Sequence, residues 1–110
     1  MPNILGSGTN TPPDTLELTL FEDTVSRYYG AEIDLDEMLA GDTTTIRVYT
    51  KVLAADAYKK FFEQVFTDAD GGQATPVFMI PFKSGPTGYK LTIQQTVGTL
   101  RSYKWRVDST

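Results

Sequence analysis

Apolar and polar side chains alternate along most of this chain. Leu16, Leu18 and Leu20 fall on one side of an extended segment, with Glu17 and Thr19 on the other, which predicts a half-buried strand. Val25, Ala31, Ile33 and Leu35 predict a second strand, interrupted by a bulge or bend near Tyr28-Tyr29-Gly30. Residues 34–42 read as a connection that makes one short helical turn closed by Gly41. The clearest strand starts at Thr43, where Ile46, Val48, Thr50 and Val52 oppose Thr45, Arg47, Tyr49 and Lys51. Tyr89 to Val97 alternates equally well, with Leu91, Ile93 and Val97 against Lys90, Thr92, Gln94 and Thr96. A turn at Gly98-Thr99 then leads to Tyr103, Trp105 and Val107, and these last two strands are expected to form a hairpin.

Two segments are less regular. Tyr58, Phe61, Phe62, Val65 and Phe66 follow the spacing of an amphipathic helix, while Tyr58, Phe62 and Phe66 also share one side of a strand. The helix formers Ala54, Ala55, Ala57, Lys59 and Lys60 favour a short helix over residues 54–66. Pro76 to Phe82 is nearly all apolar and predicts a buried strand, its prolines marking an edge or a bounded segment. Asp68 to Gly72 and Ser84 to Gly88 read as turns.

The chain thus divides into a leading arm, residues 1–14, and a β domain, residues 15–110. The arm, with its run Gly6-Ser7-Gly8-Thr9-Asn10-Thr11-Pro12-Pro13, reads either as a frayed terminus or as an extended arm ordering against a neighbouring subunit with Ile4 and Leu5 as its apolar anchor. The expected fold is mainly β: an antiparallel β-sandwich or β-barrel of about six strands.

Composition narrows the chemistry. The 110 residues contain no cysteine and no histidine, which removes thiol nucleophiles, thiolate sites, the usual general base and the commonest metal ligand. The net charge of −4 disfavours a phosphate-binding surface, so no nucleic acid is expected, and no segment has the length of a membrane span. The N-terminus lacks the basic and apolar regions of a signal peptide, which predicts synthesis in the cytoplasm. Asp68-x-Asp70 cannot start an EF-hand loop, because Gly72 and Met79 stand where carboxylates are needed. Asp34, Asp36 and Glu37 read as a solvated connection. No enzyme activity, cofactor or metal is expected.

Surface positions remain as candidate partner-binding residues. Gln94 and Gln95 each donate and accept hydrogen bonds, and serve either a wet interface or a ladder within the sheet. Lys104 and Arg106 lie opposite Tyr103 and Trp105 on the last strand, so the charged side faces solvent or an acidic partner. With the arm residues Ile4, Leu5, Pro12 and Pro13, these complete the candidate set. Exposed rings among Tyr28, Tyr29, Tyr49 and Tyr89 would serve a carbohydrate-binding adhesion module instead.

The stretches Thr45–Val52, Pro76–Pro81, Gly88–Thr99 and Ser102–Trp105 give the chain its style of short, Thr- and aromatic-rich strands behind a Gly/Pro-rich leader. In this it resembles small virion proteins of tailed viruses and proviruses. The resemblance implies a capsid decoration (cement) protein, trimeric, that binds the major capsid protein or other virion proteins, with a tail, neck or baseplate component as the variant reading.

Overall fold

The structure is a computed structural model that describes residues 3–25, 28–51, 53, 55–68, 77–83 and 88–109. Among these described residues eight strands follow one another: β1 Asn3–Asn10, β2 Leu18–Asp23, β3 Tyr29–Asp34, β4 Asp42–Thr50, β5 Lys59–Asp68, β6 Val77–Lys83, β7 Tyr89–Val97 and β8 Tyr103–Ser109. They form two four-stranded antiparallel sheets, in the orders β1-β8-β3-β6 and β2-β7-β4-β5. Only β4 and β5 are neighbours both in sequence and in a sheet; the other connections cross between sheets. The pairs β1·β8, β2·β7, β3·β6 and β4·β5 nest inside one another, as though one long hairpin had been wrapped around itself. That wrapping of eight strands into two packed sheets is the jelly roll.

Inward-facing side chains of both sheets fill the core. Ile33, Ile46, Val48, Leu91, Ile93, Tyr103 and Val107 are fully buried, each at the phase that alternation predicts. Tyr29 and Tyr89 stack with ring centroids 4.5 Å apart and planes 9° from parallel, and Phe21 tilts against both. The Tyr29 hydroxyl donates to Asp23 Oδ2 at 2.9 Å and to the Val25 carbonyl. The Tyr89 hydroxyl has no hydrogen-bond partner among the described residues; burial, with Tyr29 beside it, pushes its pKa up. The connection after β3 contributes to the core too, because Leu35 and Met38 are fully buried and Gly41 closes it at φ 89°.

Three expectations are corrected. The helix over 54–66 is absent: residues 59–68 are strand β5, and the only turn in the described part of 53–58 has Asp56 N–H donating to the Leu53 carbonyl at 3.0 Å. Strand pairing wins because Phe62 and Phe66 stand opposite Val48 and Thr44 and pack onto the core, an inward face that a helix here could not match. Ala54, like the predicted turns at 69–72 and 84–87, lies outside the described residues. The β7–β8 hairpin is also overturned, since the two strands belong to different sheets and residues 98–102 cross between them. Finally, the leading segment is extended but docked on its own chain, with Asn3–Asn10 paired to β8.

That docking explains the glycines. At Gly6 a Cβ would sit 2.9 Å from the Phe21 ring and 3.3 Å from the Trp105 indole, and at Gly8 it would sit 3.3 Å from Trp105 Nε1. The missing side chains make the slot that Trp105 fills, and its Nε1 donates to Asn10 Oδ1 at 2.7 Å. Within β2, Leu18 faces inward, a bulge between Thr19 and Phe21 turns Phe21 to the core, and Leu16 stays 67% exposed ahead of the strand.

Candidate protein-interaction surface

The outward face of the β2-β7-β4-β5 sheet carries a connected polar layer. Alternation places Arg47 and Tyr49 of β4 and Lys90, Thr92 and Gln94 of β7 on that side, and cross-strand register makes them neighbours: Arg47 stands opposite Thr92 and Tyr49 opposite Lys90. Glu17, just before β2, leans over them. Its Oε2 accepts hydrogen bonds from the Tyr49 hydroxyl at 2.6 Å and from the Thr92 hydroxyl. Arg47 Nε donates to Glu63 Oε2 at 2.6 Å, Arg47 Nη1 donates to Gln94 Oε1 at 2.7 Å, and Gln94 Nε2 donates to the Thr15 carbonyl at 2.9 Å. Lys90 Nζ lies 4.8 Å from the Tyr49 ring centre and 4.9 Å from that of Tyr58, within cation–π reach.

Each charge in this layer is matched by its neighbour. Burial raises the Glu17 pKa, but the Thr92 and Tyr49 hydroxyls and the cations Arg47 and Lys90 outweigh it and hold the carboxyl below its ordinary value. The bond to Glu63 raises Arg47. For Tyr58, burial and then Glu22 push the phenol up to about 12. The sign of the pH dependence follows. The contribution of Glu17 is fully present above its reference pKa of 4.5 and is lost as the pH falls through the lower folded value. A Glu17→Gln variant is therefore expected to lose less thermal stability than the parent between neutral pH and pH ~3. Melting curves across that range check it; equal slopes would contradict the assignment.

A second polar cluster is internal, at the end of the sandwich where the β3–β4 and β7–β8 connections meet. Asp42, 1% exposed, accepts hydrogen bonds from Leu39 N–H at 2.9 Å and Arg101 Nε at 2.8 Å. Burial opposes its charge, but Arg101 and the Leu39 and Thr99 amides prevail and lower its pKa. Gln95 is fully buried beside it. Its Oε1 accepts from the Tyr103 hydroxyl at 2.8 Å and Arg101 N–H at 2.9 Å, while its Nε2 donates to the Thr99 carbonyl at 2.6 Å. The two buried tyrosines should therefore respond in opposite ways. Tyr103→Phe leaves Gln95 and Thr44 short of a partner and is expected to cost about 1–3 kcal/mol, whereas Tyr89→Phe removes an unpartnered hydroxyl and is expected to be near neutral. Chemical denaturation of the two variants makes the comparison.

The outward face of the other sheet holds Glu32, Asp34, Lys104 and Arg106, which with Trp105 line a shallow groove of about 220 Å³. Arg106 Nη2 meets Glu32 Oε1 at 2.7 Å, and Arg106 Nε meets Asp108 Oδ1 at 3.2 Å. Among the described residues, no three His, Cys, Asp or Glu side chains are grouped to hold a metal ion.

The candidate residues thus separate. Lys104 and Arg106 share the groove, and Gln94 belongs to the layer on the opposite sheet. Ile4 is 63% exposed on edge strand β1 and Pro13 is exposed, so both are open to a neighbour. Gln95 and Pro12 are buried and leave the candidate surface; Leu5 is half-buried against the core. Gln95 shares the phase of Leu91 and Ile93, a signal present in the sequence. Of the proposed ring platform, Tyr29 and Tyr89 are core, Tyr49 lies under Lys90, and Tyr28 remains 50% exposed. Alternation in the sequence marks Arg47 and Tyr49 as outward but not Glu17 and Glu63 as their partners.

No protein-family model matches the sequence, and no curated protein matches it. Solved structures do. The backbone is similar to chains of infectious bursal disease virus: the VP2 subviral particle (TM-score 0.48, 11% identity) and the Gx strain (TM-score 0.45, 14% identity). In both, 98% of this chain is covered, and it spans about a third of the other chain's length, 31% and 33%. At these values the likeness carries no statement about what this chain does.

Proposed function

We propose that this chain is a non-enzymatic structural protein of a virus particle, a capsid decoration (cement) protein seated on the outside of the shell. The observation that carries the reading is the nested eight-strand wrap, an architecture that recurs in capsid and lectin domains. A fold alone does not assign a function. What the surfaces add is a slab 41 × 30 × 19 Å whose broad polar face is cross-linked by its own side chains, a rigid platform suited to a protein neighbour. The resemblance to virion proteins of tailed viruses and proviruses adds the particle, the major capsid protein as partner and a trimeric arrangement. Many modest contacts, repeated over a lattice, would stabilise the shell.

Purified chain mixed with shells that lack it should sediment with them and raise their disruption temperature. Chain that stays in the supernatant at every concentration contradicts the proposal. The lectin branch of the architecture supports a second reading, a carbohydrate-binding adhesion module with Tyr28 as its exposed ring. Glycan-array binding by the isolated chain, without shell binding, would select it. Retention on tails or baseplates in place of shells would move the chain to those parts of the particle.

A further inference from the structure

We propose that the groove on the outward face of the β1-β8-β3-β6 sheet binds one residue of a neutral saccharide chain, with hydroxyl contacts to Asp34 and Lys104. The inference stands on the groove and is independent of the particle reading. It also differs in place from the Tyr28 platform.

Strand register builds the groove. Directly opposite residues in an antiparallel pair point to the same face, so Thr9, Lys104 and Asp34 form one row across three strands, and Ser7, Arg106 and Glu32 form the next. Hydroxyls thus stand on β1, cations on β8 and carboxylates on β3. Ser7, Thr9 and Lys104 are exposed, and the side chains of Arg106 and Glu32 keep 44% and 34% of their surface open. The two rows are closed differently. Arg106 is tied to Glu32 and Asp108. Lys104 has no ion-pair partner among the described residues, although it stands opposite Asp34, whose Oδ1 accepts from the Asp36 N–H at 2.9 Å.

The chemistry of the lining says what fits it. Glu32 and Asp34 oppose Lys104 and Arg106 in formal charge, so the groove as a whole selects neither an anion nor a cation. Asp36, within the field of Lys104, adds a negative charge at that end and disfavours an acidic polymer. What remains is a strong acceptor beside a strong donor. A hydroxyl both donates and accepts, and two on neighbouring carbons can donate to Asp34 and accept from Lys104, in bonds roughly twice as strong as those between neutral groups. Shape points to a chain rather than a free small molecule. At about 220 Å³ the groove is smaller than the roughly 300–1,000 Å³ of pockets that enclose one, and it is shallow, so it covers a single sugar while the polymer runs on. Such weak single contacts gain strength when many copies are presented together.

Affinity electrophoresis makes the test. The purified chain is run through native gels cast with a glucan, a mannan or a galactan, and through one cast with polygalacturonate, each against a polymer-free gel. At least one neutral polymer should retard the chain. Lys104→Ala and Asp34→Asn should each weaken that retardation by about tenfold or more, because each removes a charged hydrogen-bonding partner. Lys60→Ala, on the opposite sheet, and Tyr28→Ala should leave it unchanged. Circular dichroism establishes that each variant is folded. No retardation by any neutral polymer, retardation by polygalacturonate alone, or retardation that survives both groove variants would overturn the proposal. Sedimentation with shells is a separate measurement, so failure here leaves the particle reading standing and failure there leaves the groove standing.

Discussion

Gly98→Ala is expected to lower the unfolding free energy by about 3–5 kcal/mol, the largest effect among the five glycines whose surroundings are described. Gly98 has φ 93°, a conformation that costs an L-residue about 1–2 kcal/mol by itself. The larger part comes from position. A Cβ there would lie 1.9 Å from Asp42 Oδ1 and 2.9 Å from Asp42 Cα, so the carboxylate must leave its place between Arg101 and Leu39. A buried carboxylate separated from its partners costs several kcal/mol, moderated here because Arg101 opens to solvent on one side, with 23% of its side chain exposed. For a domain with a stability of about 5–15 kcal/mol, that is a fifth or more of the total, and a melting temperature about 12–30 °C lower is the expected reading. A Gly41→Ala control separates the two causes. Gly41 has the same sign of φ at 89° but nothing within 4 Å of its Cβ, so it should show only the backbone penalty.

Trp105→Ala is expected to cost about 3 kcal/mol and to do so locally. The indole fills the slot left by Gly6 and Gly8, tilts against Phe21 with centroids 6.4 Å apart, and anchors Asn10 through its N–H. Without it β1 loses its main side-chain attachment while its ladder to β8 remains. Amide exchange should therefore rise in residues 3–10 well beyond the rise in β4 and β7, a sub-global opening ahead of global unfolding. Uniform acceleration across all strands would show that β1 is no separate unit.

The same slot shows where sequence reading reaches its limit. The glycines of the leader read as freedom of the backbone, yet their use is to admit a tryptophan about a hundred positions away, and no local pattern announces so distant a partner. Strands β4, β7 and β8 are legible because alternation is a local property. Which strand pairs with which is not local, and so β7 and β8, separated by one short turn, look like a hairpin but enter different sheets. At residues 59–66 two periodicities coincide on the same aromatic residues, and helix propensity points the wrong way; the inward face offered by Val48 and Thr44 decides for a strand. The surface divides along the same line. Lys104, Arg106 and Gln94 are outward by phase, whereas Gln95 at the inward phase was legible as core but for its amide, whose buried partners come from the turn at 97–101 and from Tyr103. Glu17 and Glu63 reach the polar layer from two flanking elements, so only the assembled sheet reveals it.

As the proposed piece of a particle, this wrapped pair of sheets should be visible in a cryo-microscopy map of the purified virion. Density for two packed four-stranded sheets is expected on the outer surface of the shell, repeated with its lattice. A shell that is complete with no such density, while the chain is found free of the particle, would contradict the proposal.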